Sequence, residues 1–107
     1  MASYHVEVAS QARKEIRDLP GNMRQRMIRT LRALKQEPRP VNSRVLDSDK
    51  AGIELRSGAE LYRIRIASWR VVYLVENELR LISVLAVRKR PPYQYNDLEE
   101  LIKNSPK

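Results

Sequence analysis

Hydrophobic and polar positions alternate strictly over Leu61–Ile66: Tyr62, Ile64 and Ile66 fall on one side, Arg63 and Arg65 on the other. Successive strand side chains leave opposite faces of a sheet, so this stretch predicts a half-buried strand. A two-residue break, Ala67-Ser68, leads into Trp69–Val75, which is apolar apart from Arg70 and predicts a second strand. Glu76-Asn77-Glu78 supplies a turn, and Leu79–Val87 predicts a third strand ending in Arg88-Lys89-Arg90-Pro91-Pro92-Tyr93-Gln94-Tyr95. The result is an antiparallel meander with one oily face and one guanidinium-bearing face.

The start of the chain supplies a cover for the oily face. Met1–Ala9 reads as a strand with Tyr4, Val6 and Val8 on one side. From Gln11 the period changes, placing Ala12, Ile16 and Leu19 on one helical stripe, with Ser10 as the expected N-cap and Pro20-Gly21 as the stop. Asn22 and Gln25 have capping-box spacing for a second helix, whose Met23, Met27, Leu31 and Leu34 share one arc before Pro38 and Pro40. Residues 39–60 are less regular: Val41, Val45 and Leu46 are candidate tethers, Asp47-Ser48-Asp49 a turn, and Ile53–Arg56 a short strand. Asn96 and Glu99 precede Leu98, Leu101 and Ile102 in a pattern that predicts a short terminal helix. The expected fold is a single α+β domain over residues 1–107. It is an antiparallel β-sheet covered on one face by an N-terminal α-hairpin, in the order β-α-α-β-β-β, with a short C-terminal helix.

Charge sharpens this picture. The chain has 107 residues and a net charge of +8, and the excess lies in two blocks. Residues 11–40 carry nine Lys/Arg against three Asp/Glu, and residues 61–90 carry seven against two. A polyanion, nucleic acid above all, is the natural partner for such a field. There is no cysteine, which excludes disulfides and thiol chemistry, and the lone His5 excludes a histidine pair. His5 alternates with Val6 and Val8 and reads as a solvated strand residue. No apolar run approaches the roughly 20 residues of a membrane span, so a cytoplasmic location is expected. Neither a metal nor a small-molecule cofactor is expected.

The candidate chemistry is therefore cationic and phenolic. Arg63, Arg65, Arg70, Arg88, Arg90, Tyr93 and Tyr95 are the candidate catalytic residues, with Lys89 and the helical Arg26, Arg29 and Arg32 as candidate RNA contacts. Arg63 and Arg65 stand roughly 6.5–7 Å apart on one strand face. Guanidinium groups grip phosphate oxygens bidentately, and a tyrosine ring offers a surface on which an unstacked base lies. The competing reading is that these arginines are ordinary solvated strand residues, with Tyr93 and Tyr95 packed beside Pro91-Pro92.

The ordered set Tyr62-Arg63-Ile64-Arg65-Ile66, Trp69-Arg70-Val71-Val72-Tyr73 and Arg88 to Tyr95 resembles the RelE/ParE toxin superfamily. Tyr4–Val8, Ala12–Pro20 and Leu31–Leu34 with Pro38 resemble its opening strand and helices. The resemblance implies a toxin of a toxin–antitoxin pair, with a cognate antitoxin, the ribosome and mRNA as partners. RelE-like members are ribosome-dependent endoribonucleases, whereas ParE-like members act on DNA gyrase without the basic set. By resemblance, Arg63 and Arg65 contact the scissile phosphate and Arg70 stabilises the transition state. Arg88 or Arg90 is the last-strand arginine, and Tyr93 or Tyr95 the terminal tyrosine that stacks on or deprotonates the substrate. The arginines at 63 and 65 stand where the best-known RelE toxins have lysines. The implied reaction is attack of a ribose 2′-OH on the adjacent phosphodiester, inhibiting translation. The alternatives are a ParE-like gyrase inhibitor and a catalytically silent nucleic-acid-binding module.

Overall fold

A computed structural model of the chain describes residues 3–46, 55 and 58–89. Its elements run β1 (His5–Val8), α1 (Ser10–Arg17), α2 (Gly21–Ala33), β2 (Ser43–Val45), β3 (Ala59–Ile66), β4 (Trp69–Glu76) and β5 (Leu81–Lys89). The three alternating or apolar runs form the centre of a five-stranded sheet ordered β1-β5-β4-β3-β2. Both helical stripes are confirmed: Ala12, Leu19, Met27, Leu31 and Leu34 are buried against Tyr62, Ile64, Ile66, Val71, Tyr73, Val75, Ile82, Val84 and Val87. Tyr4, Val6 and Val8 pack on the same cluster, as their shared face requires. His5 is exposed and its Nε2 lies 3.0 Å from Glu7.

Three features depart from the expectation. The sheet is mixed, because β1 pairs with β5 in parallel, His5 opposite Leu81 and Val8 opposite Val84. Hairpin turns dictate the pairing of consecutive strands, but β1 and β2 are separated by the α-hairpin and lie at opposite edges. The far face is also partly oily: Leu61, Val72, Leu74, Leu85 and Ala86 form a second buried cluster, joined by Leu46, Leu55 and Ala59. Nearly continuous apolar runs such as β4 and β5 bury both faces. Finally, Leu79 is exposed in the turn, and β5 starts only at Leu81, because the turn spans four residues closed by Arg80 N–H donating to Asn77 C=O at 3.1 Å.

The helix starts also differ in detail. Ser10 is the first residue of α1, and Ala9 occupies the N-cap without a side-chain bond. Pro20 does the same for α2, while the Asn22 side chain accepts from the adjacent Met23 N–H at 2.9 Å. The capping roles expected of Ser10 and Asn22 are thus displaced by one or two residues. The expected Asp47–Asp49 turn, most of the Ile53–Arg56 strand and the terminal helix from Asn96 lie outside the described residues.

One irregularity positions the site. In β5 the register steps from Val72 opposite Ala86 to Tyr73 opposite Val84, leaving Leu85 as an extra residue. Such a bulge shifts the alternation by one. Ile82 and Val84 face the helices before it, Leu85 and Ala86 both join the far cluster, and Val87 returns to the helical side. Arg88 is thereby brought onto the same face as Arg70, its partner across the ladder.

Met27 is fully buried at the centre of the helical layer. Met27→Ala should cost about 2–5 kcal/mol in urea unfolding, the usual cost of a large-to-small core change. In the β3–β4 turn Ala67 adopts φ 55°. Ala67→Gly should raise stability by about 1 kcal/mol in the same assay, since glycine enters this region without the Cβ clash.

Candidate functional site: an arginine row across the sheet

Antiparallel pairing places directly opposed residues on one face. Arg65 is opposite Arg70, and Arg70 is opposite Arg88, so three guanidinium side chains stand in register on β3, β4 and β5. Arg63, two residues before Arg65, shares their face by the period of two. Arg44 of β2 is in turn opposite Arg63. Arg44, Arg63, Arg65, Arg70 and Arg88 thus occupy one end of the face turned away from the helices. Arg70 is buried, Arg63 and Arg88 are half-buried, and Arg44 and Arg65 are exposed.

These charges are unequally compensated. Arg88 Nε donates to Glu15 Oε2 at 3.3 Å, while Glu15 Oε1 accepts from Val87 N–H at 2.8 Å. The short β1 pairs with β5 only as far as Val84, so Glu15 of α1 caps the edge left uncovered beyond it and fixes Arg88 at the same time. Among the described residues, Arg44, Arg63 and Arg65 form no salt bridge. Arg63 Nε is buried without a hydrogen-bond partner there. An open cleft of about 300 Å³ is lined by Asn42, Arg44, Arg63 and Arg65. A concentration of like charge facing a polar cleft attracts an anion.

The remaining predicted residues are distributed otherwise. Lys89 is exposed at the end of β5 and its Nζ lies 5.9 Å from the centre of the Trp69 ring, outside the row. Arg26, Arg29 and Arg32 are exposed on α2, on the helical side of the sheet, and do not join the row. Arg90, Tyr93 and Tyr95 lie outside the described residues. Sequence reasoning missed two residues. Arg44 sits in a stretch without periodic signal, and its place shows only in the β2–β3 register. Glu15 looks like any polar helix position, and its role depends on where β1 ends.

A polar clamp holds the segment that delivers β2. Arg39 donates to Glu60 Oε1 at 2.7 Å, to Tyr62 Oη at 2.9 Å and to Asn77 Oδ1 at 2.8 Å. Burial works against the Arg39 charge, but hydrogen bonds to Glu60 and Tyr62 outweigh it and hold the guanidinium more firmly protonated than usual. Tyr73 Oη donates to Pro38 C=O at 2.8 Å, and its ring stacks on Tyr62 with centroids 5.7 Å apart. Burial pushes the Tyr73 hydroxyl up to about 12.

The fold is that of a small toxin of the RelE/ParE type. A family model described as the ParE toxin of the type II toxin–antitoxin system parDE matches residues 6–91, and the chain belongs to that family within the RelE/ParE superfamily. A Methanocaldococcus jannaschii protein assigned as toxin RelE1 is 28% identical over 88 residues, covering 81% of this chain and 90% of that protein. Among solved structures, the archaeal RelE of the RelE–RelB complex from Pyrococcus horikoshii superposes with a TM-score of 0.72 at 26% identity, covering 85% of this chain and 99% of that one. The isolated Escherichia coli RelE toxin matches in fold with a TM-score of 0.57 at 22% identity, covering 94% and 99%.

The raised Tyr73 pKa sets a pH test. It means that the fold favours the neutral phenol. The contribution is therefore complete below the unfolded value of about 10 and is lost as pH rises through about 12. Unfolding midpoints should fall between pH 10 and 12, and Tyr73→Phe should flatten that part of the decline.

Proposed function

We propose that this toxin is a metal-independent, ribosome-dependent endoribonuclease that cuts mRNA by 2′-OH attack and so inhibits translation, held in check by a cognate antitoxin. The observation that supports it most directly is the Arg65–Arg70–Arg88 row with Arg63 beside it, in which Arg63 and Arg65 have no carboxylate partner among the described residues. Relatives in complex with RelB antitoxins, from Pyrococcus horikoshii and in the Mycobacterium tuberculosis RelBE2 complex, support the antitoxin half of the reading.

In the proposed reaction the O2′–P bond forms and the P–O5′ bond breaks, leaving a 2′,3′-cyclic phosphate and a 5′-OH. Arginine is effectively always protonated, so these residues serve as charge rather than as proton carriers. Arg63 and Arg65 hold the non-bridging oxygens and Arg70 faces the charge that builds on the phosphorane. Preorganised charge of this kind, together with in-line positioning, supplies most of the acceleration in phosphoryl transfer. Arg88, oriented by Glu15, closes the row on β5. The 2′-OH proton passes to Tyr93 or Tyr95 acting as the phenolate, a side chain that, unlike arginine, can both give up and take a proton. The leaving 5′-oxygen takes its proton from solvent.

The ParE description of the family model favours a second reading, a gyrase inhibitor. The two separate in one experiment. Purified toxin should cut mRNA on programmed ribosomes, spare free RNA and leave gyrase supercoiling intact. Arg70→Ala should lower ribosomal cleavage by about 10²–10³-fold, the usual effect of losing one transition-state donor, with circular dichroism unchanged. Full cleavage by that variant, or inhibition of gyrase without mRNA cleavage, refutes the proposal.

A further inference from the structure

We propose that Arg44, with Arg63 and Asn42, holds a second phosphate next to the scissile one, so that the site takes a single-stranded RNA segment of at least three nucleotides. This rests on the RNA reading above and extends it to a residue outside the reacting group. Arg44 and Arg63 are direct partners across the β2–β3 ladder, as Arg65 and Arg70 are across β3–β4. Strands lie about 4.7–4.9 Å apart, so Arg44 on β2 stands two strand spacings, about 10 Å, across the sheet from Arg70 on β4. The cations are thus laid out as two adjacent positions, Arg44 with Arg63 and Arg65 with Arg70 and Arg88.

The cleft at the β2 end fits a flanking phosphate. Among the described residues its lining is Asn42, Arg44, Arg63 and Arg65, three guanidinium groups with one amide and no carboxylate. Arginine on an edge strand also discourages strand-to-strand association. That role needs a charge at the edge, however, and does not need Arg44 to stand directly opposite Arg63, where like charges repel. Arg44 is also held in place. Ser43 N–H and Oγ both donate to Pro40 C=O, at 2.9 and 2.7 Å, and the Arg39–Glu60 and Tyr73–Pro38 bonds tie the preceding segment to the sheet. A contact delivered from a fixed backbone loses less entropy on binding.

The test is a cycle on binding, independent of cleavage. The probe is a fluorescent trinucleotide with a 2′-O-methyl group at the scissile position, prepared with its flanking linkage either as a phosphodiester or as a neutral methylphosphonate. Arg44→Ala should weaken the Kd of the charged probe about tenfold, the loss of one charge-assisted contact, and reduce the salt slope by about 0.7. It should change the Kd of the neutral-linkage probe less than about twofold, since the partner is already gone. Equal losses on both probes, no loss on either, or wild-type binding of an acidic peptide of equal charge as tight as the RNA would overturn the assignment. If the cycle holds while Arg70→Ala leaves no cleavage defect, the phosphate site stands and the nuclease reading falls. If cleavage depends on Arg70 and the cycle fails, the reverse applies.

Discussion

Like charges held directly opposite one another across a sheet repel, and the rest of this fold is arranged to keep them there. Arg65, Arg70 and Arg88 share one cross-strand row, and Arg44 and Arg63 share the next. Each such pairing costs on the order of 0.2–1 kcal/mol relative to neutral neighbours. Burial of the strands outweighs it. From Val71 to Val75 every residue of β4 is buried, and full burial of one Val or Leu side chain is worth about 1.5–3 kcal/mol. The two apolar clusters clamp β4 from both faces, so the register that brings the guanidinium groups together is set by packing, not by the groups themselves.

Much of this architecture is legible in the chain. Tyr62, Ile64 and Ile66 alternate with Arg63 and Arg65, so the face of each follows from the period alone. The helical stripes of Ala12, Ile16, Leu19, Met27, Leu31 and Leu34 likewise read directly onto the core. Illegibility begins where the pattern loses its period. Leu81–Val87 is apolar apart from Ser83, so nothing in it reveals the extra residue at Leu85, and the face of Arg88 depends on that residue. The parallel pairing of β1 with β5 is a matter of long-range topology, which no local periodicity encodes.

The candidate site divides along the same line. Arg63, Arg65 and Arg70 are visible because alternation and one short turn bring them together. Arg44 and Glu15 are not, because each acquires its meaning from a distant partner: Arg63 across the β2–β3 ladder, and Val87 with Arg88 beyond the end of the β1–β5 pairing. Glu15 also joins the two layers. The helix that shields the core supplies the carboxylate that orients a residue on the opposite face.

The outer strands carry a consequence of a different kind. β1 and β2 span only four and three residues, and β2 bears Arg44 between Ser43 and Val45. An open sheet offers its unpaired backbone groups to any neighbouring chain, but a border this short leaves few rungs for a second molecule, and a guanidinium at its middle makes stacking of identical copies costly. Among the described residues the sheet does not close on itself, and crowded copies of this protein are thereby discouraged from zipping into fibrils through the β2 rim.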